Sequence, residues 1–131
     1  MMLLNALSLN MLPAPDGPLT LSVTRIGVAE AREQLAARGL ESAVGHADTA
    51  AVFAGELGLP VPVARLTVTL APGRPVLVGQ YVGPRLPEGA TVLPAGARID
   101  WMLVSVSRHD GQYHCETCAN SLGEHCQGER S

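Results

Sequence analysis

The sequence predicts an α/β domain, a mixed sheet of about five strands flanked by two main helices. Three patterns carry that prediction. Residues 28–38 and 46–57 place apolar side chains at helical spacing, and residues 19–23 and 63–70 alternate apolar with polar side chains as half-buried strands do. Residues 76–82 and 99–106 are apolar on both faces, which suits central strands covered by helices. With 131 residues and a hydrophobic share of 47%, the chain is long enough and apolar enough to bury one core.

In chain order, residues 2–7 read as a first buried strand. Ser8-Leu9-Asn10 is a polar break just past its end, and Pro13-Ala14-Pro15-Asp16-Gly17 is a turn by composition. Over 19–23, Leu19, Leu21 and Val23 oppose Thr20 and Ser22, the period of a strand with one buried face. The period then changes. Val28, Ala31 and Leu35 share one helical face, Glu30, Arg32 and Glu33 largely occupy the rest, and Gly39 stops this amphipathic outer helix. Residues 40–44 add a brief extended segment. The second helix, 46–57, carries the stripe Ala50, Phe53, Ala54 and Leu57 and is ended by Gly58 and Pro60; Ala47, Ala51 and Val52 widen its apolar surface and predict a well-buried helix. Along 63–70, Leu66, Val68 and Leu70 oppose Arg65, Thr67 and Thr69, so this segment too is expected to be a strand, with Pro72-Gly73 turning the chain after it.

Charge narrows the function. The formal net charge is −3, so no basic field exists to hold a long polyanion, and general DNA or RNA binding is disfavoured. An anionic ligand has to be gripped locally. No run reaches the length of a membrane span, and the apolar opening Met1-Met2-Leu3-Leu4 lacks the basic start of a secretory signal, so an intracellular protein is expected.

The chain is organised around Ala43-Val44-Gly45-His46-Ala47-Asp48-Thr49-Ala50, where an apolar run stops at a glycine and a histidine stands at the head of a helix. Unpaired backbone N–H groups and the positive end of the dipole make a helix start a seat for an anion. His46 is then either a group facing that anion or a capping or surface histidine. Further on, Gly83-Pro84-Arg85-Leu86-Pro87-Glu88-Gly89 holds one cation and one carboxylate between rigid prolines and glycines. Arg85 is either a bidentate phosphate clamp or the partner of Glu88 in a surface ion pair.

Three stretches carry a resemblance. Asn5-Ala6-Leu7-Ser8-Leu9-Asn10-Met11, Glu41-Ser42-Ala43-Val44-Gly45-His46 and Arg85-Leu86-Pro87-Glu88-Gly89 resemble, in order and approximate spacing, the three motifs of the viral anti-CRISPR ring nuclease family. The resemblance covers about residues 1–107. It implies a homodimeric, metal-independent enzyme of the host cytoplasm that cleaves cyclic tetra-adenylate, the messenger of type III CRISPR defence, in a pocket at the two-fold axis. It implies His46 as the catalytic histidine with Glu88 beside it, and Arg85, Ser8 and Asn10 as ligand-binding residues, joined by Gly45 and Thr49 at the helix start. Asn5 matches as well and is read as structural. A cyclic oligoadenylate sponge without activity and a viral structural or interaction protein are the alternatives.

A C-terminal extension, residues 108–131, departs from that pattern. It holds all three cysteines of the chain, and Cys115-x2-Cys118 followed by His125-Cys126 resembles a small zinc knuckle. An odd number of cysteines fits equally a flexible or partly disulfide-linked tail with reactive thiols. Apart from that zinc, no cofactor is expected.

Overall fold

A computed structural model describes residues 1–13 and 18–108; the proposed zinc ligands and most of the 13–17 turn lie outside the described residues. The elements are β1 (Met2–Leu4), a single 3-10 turn (Leu9–Met11), β2 (Leu19–Ile26), α1 (Val28–Arg38), β3 (Glu41–Ser42), α2 (Ala47–Leu57), β4 (Val76–Val82) and β5 (Arg98–Arg108). The five strands form one sheet in the order β2-β5-β4-β1-β3. β1 runs parallel to both β3 and β4, whereas β5 is antiparallel to β4 and to β2, so one half of the sheet is parallel and the other a meander-like ladder.

Both helices pack on the same face. Register pairs Leu3 with Leu77, Leu77 with Leu103 and Gly79 with Trp101, and this row meets Ala31 and Leu35 of α1 and Ala50, Phe53 and Leu57 of α2 in one buried cluster. The helical stripes read from the sequence are therefore the faces that are buried. Burying such a side chain contributes roughly 1.5–3 kcal/mol, which is why the stripe rather than intrinsic propensity fixes these short helices. Phe53 and Trp101 meet with ring centroids 5.1 Å apart at a tilt of 59°. Gly79 makes this possible, because a Cβ there would lie 2.6 Å from the Trp101 ring and 2.8 Å from that of Phe53. Arg32, on the polar side of α1, donates to the carbonyls of Leu57 and Glu56 and so closes the C-terminal end of α2, where Gly58 adopts a left-handed conformation at φ 68°.

The opposite face buries Leu4, Val76, Val78, Val104 and Val106, and among the described residues no α-helix covers it. Met11, Leu12, Val68 and Leu70 do so, from the 3-10 turn and from the segment before β4.

Here the structure corrects three expectations. β2 forms where a strand was expected but has no buried face, Leu21 being 39% and Val23 50% exposed. Residues 63–70 belong to no strand. Their alternation fails as a burial pattern, since Leu66 is 56% exposed and Val63 51% while only Leu70 is fully buried. The segment is pinned instead by isolated bonds, Ala64 N–H to the Val44 carbonyl at 2.9 Å and Leu70 N–H to the Met11 carbonyl at 2.7 Å. The fifth strand is the two-residue β3, from the segment read as briefly extended. β1 is likewise shorter than expected, ending at Leu4, because the chain leaves the sheet at Asn5 for the 3-10 turn that Ser8 caps.

Candidate functional site

Because β1, β3 and β4 are parallel, their carboxyl ends open on the same side, and the loops that follow them converge there. In open α/β sheets, that side is where ligands are received. β1 delivers Asn5, β3 leads through Ala43–Gly45 to His46, and β4 leads to Gly83–Glu88. Ile26 and Arg98, from the antiparallel half, end on the same side.

The path from β3 to His46 is held along its length. Ser42, buried, accepts the Val44 N–H on its Oγ at 3.2 Å; the Val44 carbonyl takes the Ala64 N–H; and Arg65 Nε donates to the Gly45 carbonyl at 3.1 Å. His46 then occupies the N-cap of α2, with extended backbone, and its carbonyl accepts the Ala50 N–H at 2.9 Å. Its ring makes no capping hydrogen bond and is exposed. The capping-histidine reading thus holds for the backbone and not for the side chain.

His46 is a wall shared by two open depressions. The larger, about 810 Å³, is lined by Asp48, Thr49, Tyr81, Arg85 and Glu88 as well as His46. The smaller, about 490 Å³, is lined by Asn5, Met11, Gly45, Arg65 and Thr67. Arg85 and Glu88 are exposed, and neither makes an ion pair or hydrogen bond among the described residues. Their pairing as a surface decoration is therefore not seen; both charges are available.

Of the residues expected from the sequence, His46, Thr49, Arg85 and Glu88 line one depression together, and Gly45 lines the other. Ser8 and Asn10 lie outside both. Ser8 caps the 3-10 turn, its Oγ accepting the Asn10 N–H at 3.2 Å, and both side chains are exposed. From the first motif it is Asn5, read as structural, and Met11 that share a depression with His46. Two charged groups carried no sequence signal of a role. Arg65 sits in a stretch whose alternation suggested a strand, and Asp48 is an ordinary helix-start acid until its partner 41 residues away is seen: its carboxylate accepts the Gly89 N–H at 3.0 Å. Among the described residues, no group of His, Cys, Asp and Glu is arranged to hold a metal ion, and no helix is long and apolar enough to cross a membrane.

Fold and site together define a small α/β protein with open clefts, carrying a few charged side chains, at the carboxyl ends of its parallel strands. The chain belongs to the STIV B116-like family, whose model matches residues 1–95. Among solved structures it is similar to B116 of Sulfolobus turreted icosahedral virus, with 26% identity and a TM-score of 0.66 over 79% of this chain and 97% of that one. No curated protein sequence matches it.

Proposed function

We propose that this protein cleaves cyclic tetra-adenylate without a metal ion and so suppresses type III CRISPR signalling. The observation that supports this reading best is the joint lining of one cleft by His46, Thr49, Arg85 and Glu88, with both charges of the loop unpaired. An RNA-like linkage carries its own nucleophile. The ribose 2′-hydroxyl attacks the adjacent phosphorus, the bond to the 5′-oxygen breaks, and a 2′,3′-cyclic phosphate forms. Such chemistry requires in-line orientation, stabilisation of phosphoryl charge and a proton for the leaving oxygen. His46 supplies the proton, Arg85 binds the phosphoryl oxygens through its planar fork, and the unpaired N–H groups at the start of α2 add to the anion's seat. Glu88, unpaired in the ligand-free protein, is placed to orient His46 or Arg85 once the ring is bound or to assist a later hydrolysis. Arg65 offers a second cation on the other side of His46, where an adjoining phosphate of a ring would lie.

A two-fold homodimer would set two such clefts face to face, so that two phosphates of one ring are cut to give linear di-adenylates. The reading is tested by incubating the protein with cyclic tetra-adenylate in EDTA and separating the products. Di-adenylate ending in a cyclic phosphate supports it, and intact ring after prolonged incubation removes it. Retention of the ring without turnover identifies a sponge instead, a role that the unpartnered His46 ring also permits.

A further inference from the structure

Arg85 is not alone in lacking a partner. The side chains of Arg38 and Arg74 also make no hydrogen bond or ion pair among the described residues. Both line one depression of about 410 Å³ together with Glu41, and Met2, Leu70 and Val76 give it an apolar wall. This depression lies at the amino ends of the parallel strands, where Met2 is in register with Glu41 and Leu3 with Leu77, and so at the edge of the sheet opposite the His46 cleft. Each charge stands on backbone that is held. Arg38 is in the last turn of α1, which Gly39 ends at φ 81° with its N–H on the Leu35 carbonyl at 2.8 Å. Glu41 opens β3, its N–H on the Met1 carbonyl at 3.0 Å. Arg74 closes the turn Ala71-Pro72-Gly73-Arg74 by donating its N–H to the Ala71 carbonyl at 3.1 Å, with proline second and Gly73 third at φ 80°, the pattern of a type II turn. Leu70 and Val76, both buried, root that turn in the core.

We propose that this depression binds a small phosphomonoester with a flat, largely apolar body, of the nucleoside monophosphate class, at a site separate from the His46 cleft. The proposal does not depend on the function assigned to that cleft. Arg38 by itself is explained by the negative end of the α1 dipole. The dipole explains neither a second guanidinium brought to the same depression from another loop nor the apolar wall beside it. Glu41 lines the depression and pairs with neither arginine, so two cations face one carboxylate in a chain whose formal net charge is −3. One carboxylate ligand has two oxygens and saturates a single guanidinium fork, whereas a phosphomonoester offers three terminal oxygens and close to two negative charges at neutral pH, enough for both arginines. Glu41 is an acceptor for a hydroxyl or amino group on the body of the ligand, and the apolar wall receives its ring.

Titration with adenosine 5′-monophosphate, followed through amide NMR shifts of the full chain, tests the site. The amides of Gly39, Gly73 and Arg74 are expected to shift together and to saturate. Arg38→Ala and Arg74→Ala should each weaken this binding by about 10- to 100-fold, the loss of a charge-assisted pair of hydrogen bonds. Arg85→Ala, at the far edge of the sheet, should leave it within about twofold. Neither Arg38 nor Arg74 has a described side-chain partner to lose, so both variants should keep the wild-type denaturation midpoint. Adenosine, which lacks the phosphate, and inorganic phosphate, which lacks the ring, should each bind at least about tenfold more weakly than the nucleotide. The proposal is overturned by any of four results: no shift at these amides up to about 10 mM nucleotide, shifts confined to the surroundings of His46 and Gly89, unchanged affinity in Arg74→Ala, or inorganic phosphate bound as tightly as the nucleotide.

Discussion

The two halves of the sheet use the same kinds of charged residue in opposite ways. In the antiparallel half, Arg25 and Arg98 converge on Asp100, at 3.4 and 3.1 Å, so that one carboxylate is shared by two guanidinium groups. In the parallel half, Arg85, Glu88 and the His46 ring stand around a cleft with no ion pair among them. The difference follows from topology. Arg98 and Asp100 lie two residues apart on β5, and Arg25 of the neighbouring β2, in register with Met102, reaches Asp100 diagonally; Arg85 and Glu88 are on a proline-rich loop whose backbone is held by Tyr81 and Asp48. An arginine that is already paired stabilises a strand end, and one held apart from partners is free for a ligand.

Four measurements can break or sharpen that contrast, the largest effect first. His46→Ala should abolish most cleavage, by about 10²–10⁴-fold for loss of a positioned acid, equivalent to roughly 3–5 kcal/mol of barrier. Equilibrium binding of the ring should change little. Single-turnover rates and binding, measured side by side, check both; near wild-type cleavage would leave His46 as a helix start and nothing more.

Next comes the direct comparison of arginines. Arg85→Ala should weaken ring binding by about 10- to 100-fold, the size of one charge-assisted pair of hydrogen bonds. Arg98→Ala should leave binding unchanged. Titration of the two variants under one salt condition decides it, and equal losses would mean that overall charge rather than a clamp attracts the ligand.

Gly79→Ala tests the core that carries both halves. A methyl group there strikes the Phe53 and Trp101 rings, so the expected loss of stability is about 1–3 kcal/mol, read from a denaturant midpoint at unchanged slope. A neutral result would show that the aromatic pair has room to move.

The smallest effect belongs to the paired half. Asp100's carboxyl is held below its ordinary value of 3.8, first by the hydrogen bond from Arg98 and then by the charges of Arg98 and Arg25, against a partial burial that pushes it up. A lowered folded-state value means that its contribution to stability is complete above the unfolded value and is lost as pH falls through the folded one. Asp100→Asn should therefore reduce stability slightly at pH 7, and its difference from the wild type should shrink below about pH 4. A difference that grows on acidification would contradict the pairing.

Much of the fold was legible in the sequence because periodicity reports burial directly. The stripes Ala31-Leu35 and Ala50-Phe53-Leu57 had one face to hide, and Gly39 and Gly58 ended the helices where they were read to end. The same signal misled at 63–70, since alternation states which residues prefer burial but not whether a partner strand is present to hydrogen-bond with. The segment lies across the face of the sheet opposite α1 and α2 and shields it with Val68 and Leu70.

For the site, the sequence by itself determined the residue types that chemistry on a phosphate needs: a histidine at a helix start, and an arginine and a glutamate on a stiffened loop. Only the tertiary structure decided which of them meet. Parallel pairing of β1 with β3 and β4 turns three loops, separated by about forty residues each, toward one edge. It leaves Ser8 capping its own turn, brings Asn5 and Arg65 beside His46, and sets Asp48 against Gly89. Spacing along the chain carries no information about these contacts, because each is made across the sheet edge and depends on strand order and direction, which local pattern does not encode.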